Sequence, residues 1–186
     1  MGAAKTRLAR DIGPTHAQRH ARAMTARVLR QTADPRWERE VWVSPDRAAG
    51  YLPTAPGVLA FGQGGGDLSR RLLRVMARPG PVAVVGTDAP ALSGRDVAEA
   101  FAALRGAELV LGPAADGGFW LIAARGPVRP GLFAGVRWSG AQTRADVEAN
   151  VSGRVAHLRT LTDADDRASL RRAFAEARAG RARHPS

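Results

Sequence analysis

Pro81-Val82-Ala83-Val84-Val85-Gly86-Thr87-Asp88-Ala89-Pro90 and Glu108-Leu109-Val110-Leu111-Gly112-Pro113-Ala114-Ala115-Asp116-Gly117-Gly118 decide the fold of this chain. Each is a short apolar run that ends in an aspartate inside a glycine- or proline-bounded turn. A continuous apolar run of this length, stopped by Gly and Pro, reads as a strand buried on both faces. In open parallel sheets ligands bind in the crevice beyond the carboxyl ends of such strands. Two carboxylates delivered there suit a divalent cation and the phosphates it carries.

Outward from these runs, strands alternate with helical patterns. Pro14 suits a first helical position, and Ala17, Ala21, Met24, Val28 and Leu29 form one apolar stripe, predicting a helix over about 14–32. Strands are expected over 40–44 and 58–61. Asp67 is placed to cap a helix with Leu68, Leu72, Leu73 and Met76 on one face. After the strand at 82–85, Ser93 with Asp96 three residues on resembles a capping box opening a helix to about 104. Strands follow at 109–111 and 119–124. Trp138-Ser139-Gly140 opens a helix to about 150, a strand occupies 154–158, and a helix runs from about 167 to about 179. This order predicts a three-layer α/β/α sandwich with a mostly parallel sheet. One domain over 1–177 and a basic, flexible tail over 178–186 are expected.

The start of the chain breaks the pattern. The usual first strand is missing, and Met1-Gly2-Ala3-Ala4-Lys5-Thr6-Arg7-Leu8 already reads as the loop that would follow it. A sheet without a central strand leaves ladder groups unpaired in the core. A truncated start, a rearranged sheet or a partner filling the gap is therefore expected.

Bulk composition narrows the function. The 186 residues and 45% apolar content suit one globular domain. Without cysteine there are no disulfides, thiolate metal sites or Cys nucleophile, which fits a cytoplasmic protein. No apolar run approaches the ~18 residues of a membrane span. The net charge of +11 would fit nucleic acid, but Lys5 is the only lysine among 28 basic residues, and the arginines are scattered without interleaved aromatics. A solvated basic surface explains them better, and no nucleic-acid partner is expected. The four histidines lack metal spacing, and no Ser-His-Asp arrangement is legible.

The chemistry-bearing residues follow. Asp88, with Gly86 and Thr87 before it, can hold Mg²⁺ or Mn²⁺ while substrate phosphates supply other ligands; a turn or cap aspartate is the plain alternative. Asp116, before Gly117 and Gly118, can be a second ligand or a general base, although Asp-Gly is also a strong hairpin signal. Gly2, Lys5 and Arg7 form a glycine turn with cations, a natural anion cradle. Gln63-Gly64-Gly65-Gly66-Asp67 can wrap a base or sugar with backbone amides, or be a plain turn. Trp138 and Ser139 either cap a helix or wall an acceptor site.

Taken in order, these segments resemble the bacterial transferases of the nucleotide-diphospho-sugar transferase superfamily associated with radical-SAM, selenodomain and arsenosugar pathways. The resembling segments are the Gly2–Leu8 stretch, Gln63–Leu68, Gly86–Leu92, Leu111–Phe119, Trp138-Ser139 and Asp163-Ala164-Asp165. The resemblance implies a GT-A-like (Rossmann-like) fold and a metal-dependent transferase taking a nucleotide sugar and a small-molecule acceptor. It implies Asp88 as the metal-binding aspartate and Lys5 and Arg7 on the nucleotide phosphates. The chain departs from the family pattern at Ala89, Gly140, Asp166 and Ser169. A nucleotidyltransferase releasing pyrophosphate and a non-catalytic nucleotide-binding protein are the alternatives, and a homodimer is compatible with either.

Overall fold

The structure is a computed structural model that describes residues 13–51, 56–163 and 167–182. The elements run α1 (Pro14–Gln31), β1 (Arg39–Val43), β2 (Val58–Gly62), α2 (Leu68–Val75), β3 (Val82–Val85), α3 (Gly94–Ala103), β4 (Leu109–Pro113), β5 (Phe119–Ala124), α4 (Thr143–Ala149), β6 (Val155–His157) and α5 (Arg167–Ala182). Short 3₁₀ turns lie at Asp46–Tyr51 and Pro130–Phe133.

The strands form two sheets. β1 and β2 pair in parallel, and the larger sheet has the order β3-β5-β4-β6. In it β4 and β6 are parallel, while β5 runs antiparallel to both β3 and β4. Three of its four strands thus share one direction, and the β4–β5 hairpin supplies the exception. The Asp-Gly dipeptide at 116–117 turns that hairpin, as its composition allowed.

Side-chain alternation on these strands builds the three layers. Ala83, Val85, Val110, Leu121 and Ala123 pack on one face with Val28 of α1, Ala100 of α3 and Ala177 of α5. Val84, Leu109, Leu111, Ile122 and Ala124 pack on the other with Leu72 and Leu73 of α2, Leu132 and Phe133, and Val147 of α4. α1 follows its predicted stripe: Ala17, Met24 and Val28 are buried. In α2 the stripe fails at its first position, where Leu68 is exposed.

Capping behaves as the sequence predicts. The Asp67 carboxylate accepts from the Arg70 amide at 2.9 Å, and Ser93 with Asp96 forms a capping box. The smaller sheet carries a Trp42–Phe61 stack with the Arg78 guanidinium over both rings, and Arg78 also pairs with Glu40. That cation ties β1 and β2 to the segment leaving α2. At the other end of the chain α5 continues to Ala182, so the first residues of the expected tail are helical.

Candidate active site

β3 delivers Asp88. The Gly86 amide donates to the Trp120 carbonyl at 2.8 Å, continuing the β3–β5 ladder one rung beyond Val85. Thr87 and Asp88 then leave the sheet, half-buried. A Cβ on Gly86 would meet only the Trp120 carbonyl, at 3.7 Å. Packing therefore does not demand glycine there, and the space above it is open to a ligand.

The residues after Asp88 are fixed from outside. Ala89, Pro90, Ala91 and Leu92 are buried. Arg27 of α1 donates through Nε to the Pro90 carbonyl at 3.0 Å, and Arg159, beyond β6, donates to the Ala91 carbonyl at 2.9 Å. Arg159 also grips Asp96, with Nε to Oδ1 at 2.6 Å and a second bond to Oδ2 at 2.9 Å. Asp96 accepts in turn from the Ser93 amide and hydroxyl. Burial pushes the Asp96 carboxyl up, but the bonds to Arg159 and Ser93 outweigh it and hold it below the usual carboxylate range. Arg159 is shifted up by the same pairing. Asp88 itself accepts no hydrogen bond from any described residue. A carboxylate with no partner among the described residues, on a turn held by two guanidiniums, can take a cation or a donor.

β4 delivers Asp116 by different means. The Ala114 amide donates to Gly118 O at 3.0 Å and the Gly117 amide to Ala114 O at 3.1 Å. Asp116 Oδ1 accepts from the Gly118 amide at 2.9 Å, an Asx-type bond inside the turn. Its other oxygen is unengaged, and the residue is exposed. Gly117 has φ +92, and a Cβ there would lie 2.3 Å from the Ala141 carbonyl, so only glycine fits. The Arg144 amide donates to Gly117 O at 3.1 Å, docking the hairpin tip on the start of α4.

The topology brings both aspartates to one end of the larger sheet. β3 and β4 flank β5 and both oppose it, so their carboxyl ends rise on either side of the start of β5. Val85 and Gly112 both pair with Leu121, which separates them by two strand spacings, about 10 Å. Each aspartate lies three residues past the end of its strand.

Trp138 sits at the same end. Its indole donates to Ser69 Oγ near the start of α2 at 2.9 Å and packs edge-on against Phe119, the first residue of β5. Arg137, beside it, is clamped by Asp146 through its amide and guanidinium, and this pairing lowers the Asp146 pKa to about 2. Ser139 has φ +62, the sole non-glycine with positive φ among the described residues. It is exposed, beside the hairpin tip. The expected helix from 138 begins only at Thr143; the Thr143 hydroxyl lies 2.7 Å from Arg137 O and 2.8 Å from Gly140 O, closing residues 137–143 into a turn.

The Gln63–Asp67 loop has structural partners. The Gln63 amide side chain donates to Trp42 O at 2.9 Å, and Asp67 is spent on its cap. The Gly64 amide donates to Asp46 Oδ1 at 2.9 Å. Asp46 was missed by sequence reasoning, although it too lies three residues past a strand end, that of β1. The offset it shares with Asp88 and Asp116 was the available signal. Arg27 and Arg159 gave no local signal, because each acts across more than sixty residues; Asp96 was legible only as the capping partner of Ser93. Gly2, Lys5 and Arg7 lie outside the described residues.

The Asp88 carboxylate could hold a cation that draws its other ligands from phosphate and water. The two aspartates do not make an all-protein cage: among the described residues no group of three or more His, Cys, Asp or Glu could hold an ion.

Residues 25–140 match the model of a family described as an uncharacterized protein conserved in bacteria, DUF2064. The chain belongs to this family. No curated protein sequence matches it. Among solved structures it is similar to a "putative nucleotide-diphospho-sugar transferase" from Desulfovibrio desulfuricans G20, with 24% identity and a TM-score of 0.76 over 96% of this chain and 92% of that one. It is similar also to Rv0371c of Mycobacterium tuberculosis H37Rv, solved in complex with manganese, at 17% identity and TM-score 0.52 over 83% of this chain and 85% of that one. A homolog of Rv0371c from Mycobacterium sp. strain JC1 matches at 16% identity and TM-score 0.54 over 84% of each. These likenesses establish the fold: the chain shares the GT-A-like architecture of the Desulfovibrio protein. No described helix is long and apolar enough to cross a membrane.

Proposed function

We propose that this protein is a metal-dependent transferase that takes a nucleoside-diphosphate sugar and passes the sugar to a small hydroxyl-bearing acceptor. The observation that carries the reading is the Asp88 carboxylate: without a partner among the described residues, on an externally clamped turn, at the same sheet end as Asp116. The description of the Desulfovibrio protein and the manganese in Rv0371c support it.

A bound Mg²⁺ or Mn²⁺ would neutralise charge that develops on the diphosphate as it leaves. Asp88 would hold that ion, with Gly86 and Thr87 leaving room for the phosphates. Lys5 and Arg7 are the cations proposed to contact the same phosphates, with Gly2 in their turn, and Gln63, Gly64 and Asp67 would border the nucleoside. Asp116 would accept the acceptor's hydroxyl proton through its unengaged oxygen. The hydroxyl oxygen bonds to the anomeric carbon, the bond from that carbon to the diphosphate oxygen breaks, and the nucleoside diphosphate leaves with the electron pair. Gly117, Gly118, Trp138 and Ser139 would wall the acceptor, and positioning supplies much of the rate.

Product analysis tests this. Incubation with UDP-, GDP- and CDP-sugars and Mn²⁺ should release free nucleoside diphosphate from one of them. Asp88→Asn should abolish the release while melting at the wild-type temperature. Pyrophosphate release from a nucleoside triphosphate instead would identify a nucleotidyltransferase, and binding without turnover would identify a nucleotide-binding protein.

A further inference from the structure

At the opposite end of the larger sheet, below the starts of β4 and β6 and the finish of β5, lies a cavity of about 710 Å³. β4 is five residues long, so this cavity is about 15 Å from the aspartate end. Four guanidiniums line it: Arg105, Arg125, Arg129 and Arg154. Its one acidic residue is Glu108, and Glu108 Oε2 is engaged by the Gly153 amide at 2.6 Å.

The four arginines fall into two kinds. Arg125 and Arg129 are held by oxygen acceptors. Arg125 donates through Nε to Leu104 O and through Nη2 to Arg105 O, while Arg129 donates through Nη2 to Asn150 O and to Ser152 Oγ. Those contacts orient each guanidinium and leave Nη1 of both, and Nε of Arg129, without an acceptor. The side chains of Arg105 and Arg154 make no hydrogen bond or ion pair with any described residue. Four like charges beside one engaged carboxylate repel one another unless an anion sits among them. Two are preoriented and two are free to close, and arginine forks match phosphate oxygens in pairs.

We infer that this cavity binds a small polyanion of the oligophosphate class, at a site separate from Asp88 and Asp116. The floor is apolar, from Leu109, Ala124 and Leu132, and no aromatic side chain lines the cavity. The site therefore reads the phosphate chain and offers a base no aromatic ring to stack on. It needs no divalent cation, because its charge already opposes the ligand's.

Calorimetric titration with inorganic triphosphate in EDTA at physiological ionic strength tests the inference. Saturable binding of one triphosphate per chain is expected. Arg105→Ser/Arg154→Ser should weaken it by roughly tenfold or more. These two side chains have no partners to lose, so the melting temperature should hold. Arg22→Ser/Arg30→Ser removes the same charge from exposed positions of α1 and should weaken binding by about threefold or less, through general field alone. ATP should bind no more tightly than triphosphate, and Asp88→Asn should bind as wild type does. Equal weakening by the two double variants would overturn the inference, as would no weakening by the first, tighter binding of ATP, or no saturable binding.

Discussion

The turn that carries Asp88 is held by guanidiniums from outside; the turn that carries Asp116 is held by backbone amides, most of them its own. Ala89 to Leu92 are buried under guanidiniums from α1 and from the segment after β6, residues remote in sequence. The Asp116 hairpin closes on itself through the Ala114, Gly117 and Gly118 amides, and reaches outside at the Ala115 amide, which donates to Leu161 O, and at Gly117 O, which accepts from the Arg144 amide. The first arrangement costs more to assemble and leaves its carboxylate free. The second rests mostly on short-range backbone bonds, and it uses one oxygen of its carboxylate to close itself. A fixed, unpaired carboxylate suits a metal ligand, and an exposed one beside an acceptor wall suits proton transfer.

The comparison can be broken most forcefully at Arg159. Arg159→Ala leaves the buried Asp96 carboxylate with its Ser93 bonds but without a counter-charge, and removes the bond to Ala91. We expect a loss of about 3 kcal/mol in denaturant unfolding. A loss under about 0.5 kcal/mol, the range of ordinary surface changes, would mean that the Asp88 turn needs no outside clamp. Gly117→Ala forces a side chain onto the Ala141 carbonyl at positive φ and should cost about 2 kcal/mol. Its effect should stay local, with exchange protection falling at 114–118 and 139–144 and not at 86–92.

Acid should separate the two regions more gently. The folded pKa of Asp96 is depressed, so its contribution to stability is complete above the unfolded value of about 3.9 and fades as pH falls through the lower folded value. Asp146, at about 2 in the folded protein, follows the same sign between about 4 and 2. Stability should therefore be flat near neutrality and fall below pH 4. Asp96→Asn should flatten that fall, and an unchanged acid limb in this variant would remove the Arg159–Asp96 pair from the account. The smallest effect belongs to Ser139→Gly, which relieves a positive φ at the hairpin side and should stabilise by about 0.5 kcal/mol. If Ser139 walls the acceptor site, the same variant should raise KM for the acceptor and leave the donor KM alone.

Much of this contrast was legible from local sequence. The β3 and β5 limits, the Asp67 cap, the Ser93–Asp96 box and the Asp-Gly hairpin all rest on neighbours within a few residues. The aspartates at 88 and 116 stood out because apolar runs end beside them. What was hidden was long-range. Nothing near Arg159 says that it reaches Asp96, 63 residues earlier. The turn at 138–142 read as helix because its Ser-Gly pair resembles a cap, whereas Thr143 and the packed Trp138 indole hold it open. The division of the described strands into β1-β2 and β3-β5-β4-β6 was equally hidden, because it depends on pairing between segments far apart in the chain.

Manganese binding followed by electron paramagnetic resonance, with a nucleoside diphosphate present, tests the central claim most directly. One tight Mn²⁺ per chain is predicted, weakened at least about tenfold by Asp88→Asn and by a smaller factor by Asp116→Asn, with both variants folded. Wild-type affinity in Asp88→Asn would show that the free carboxylate on the clamped turn is not the metal ligand.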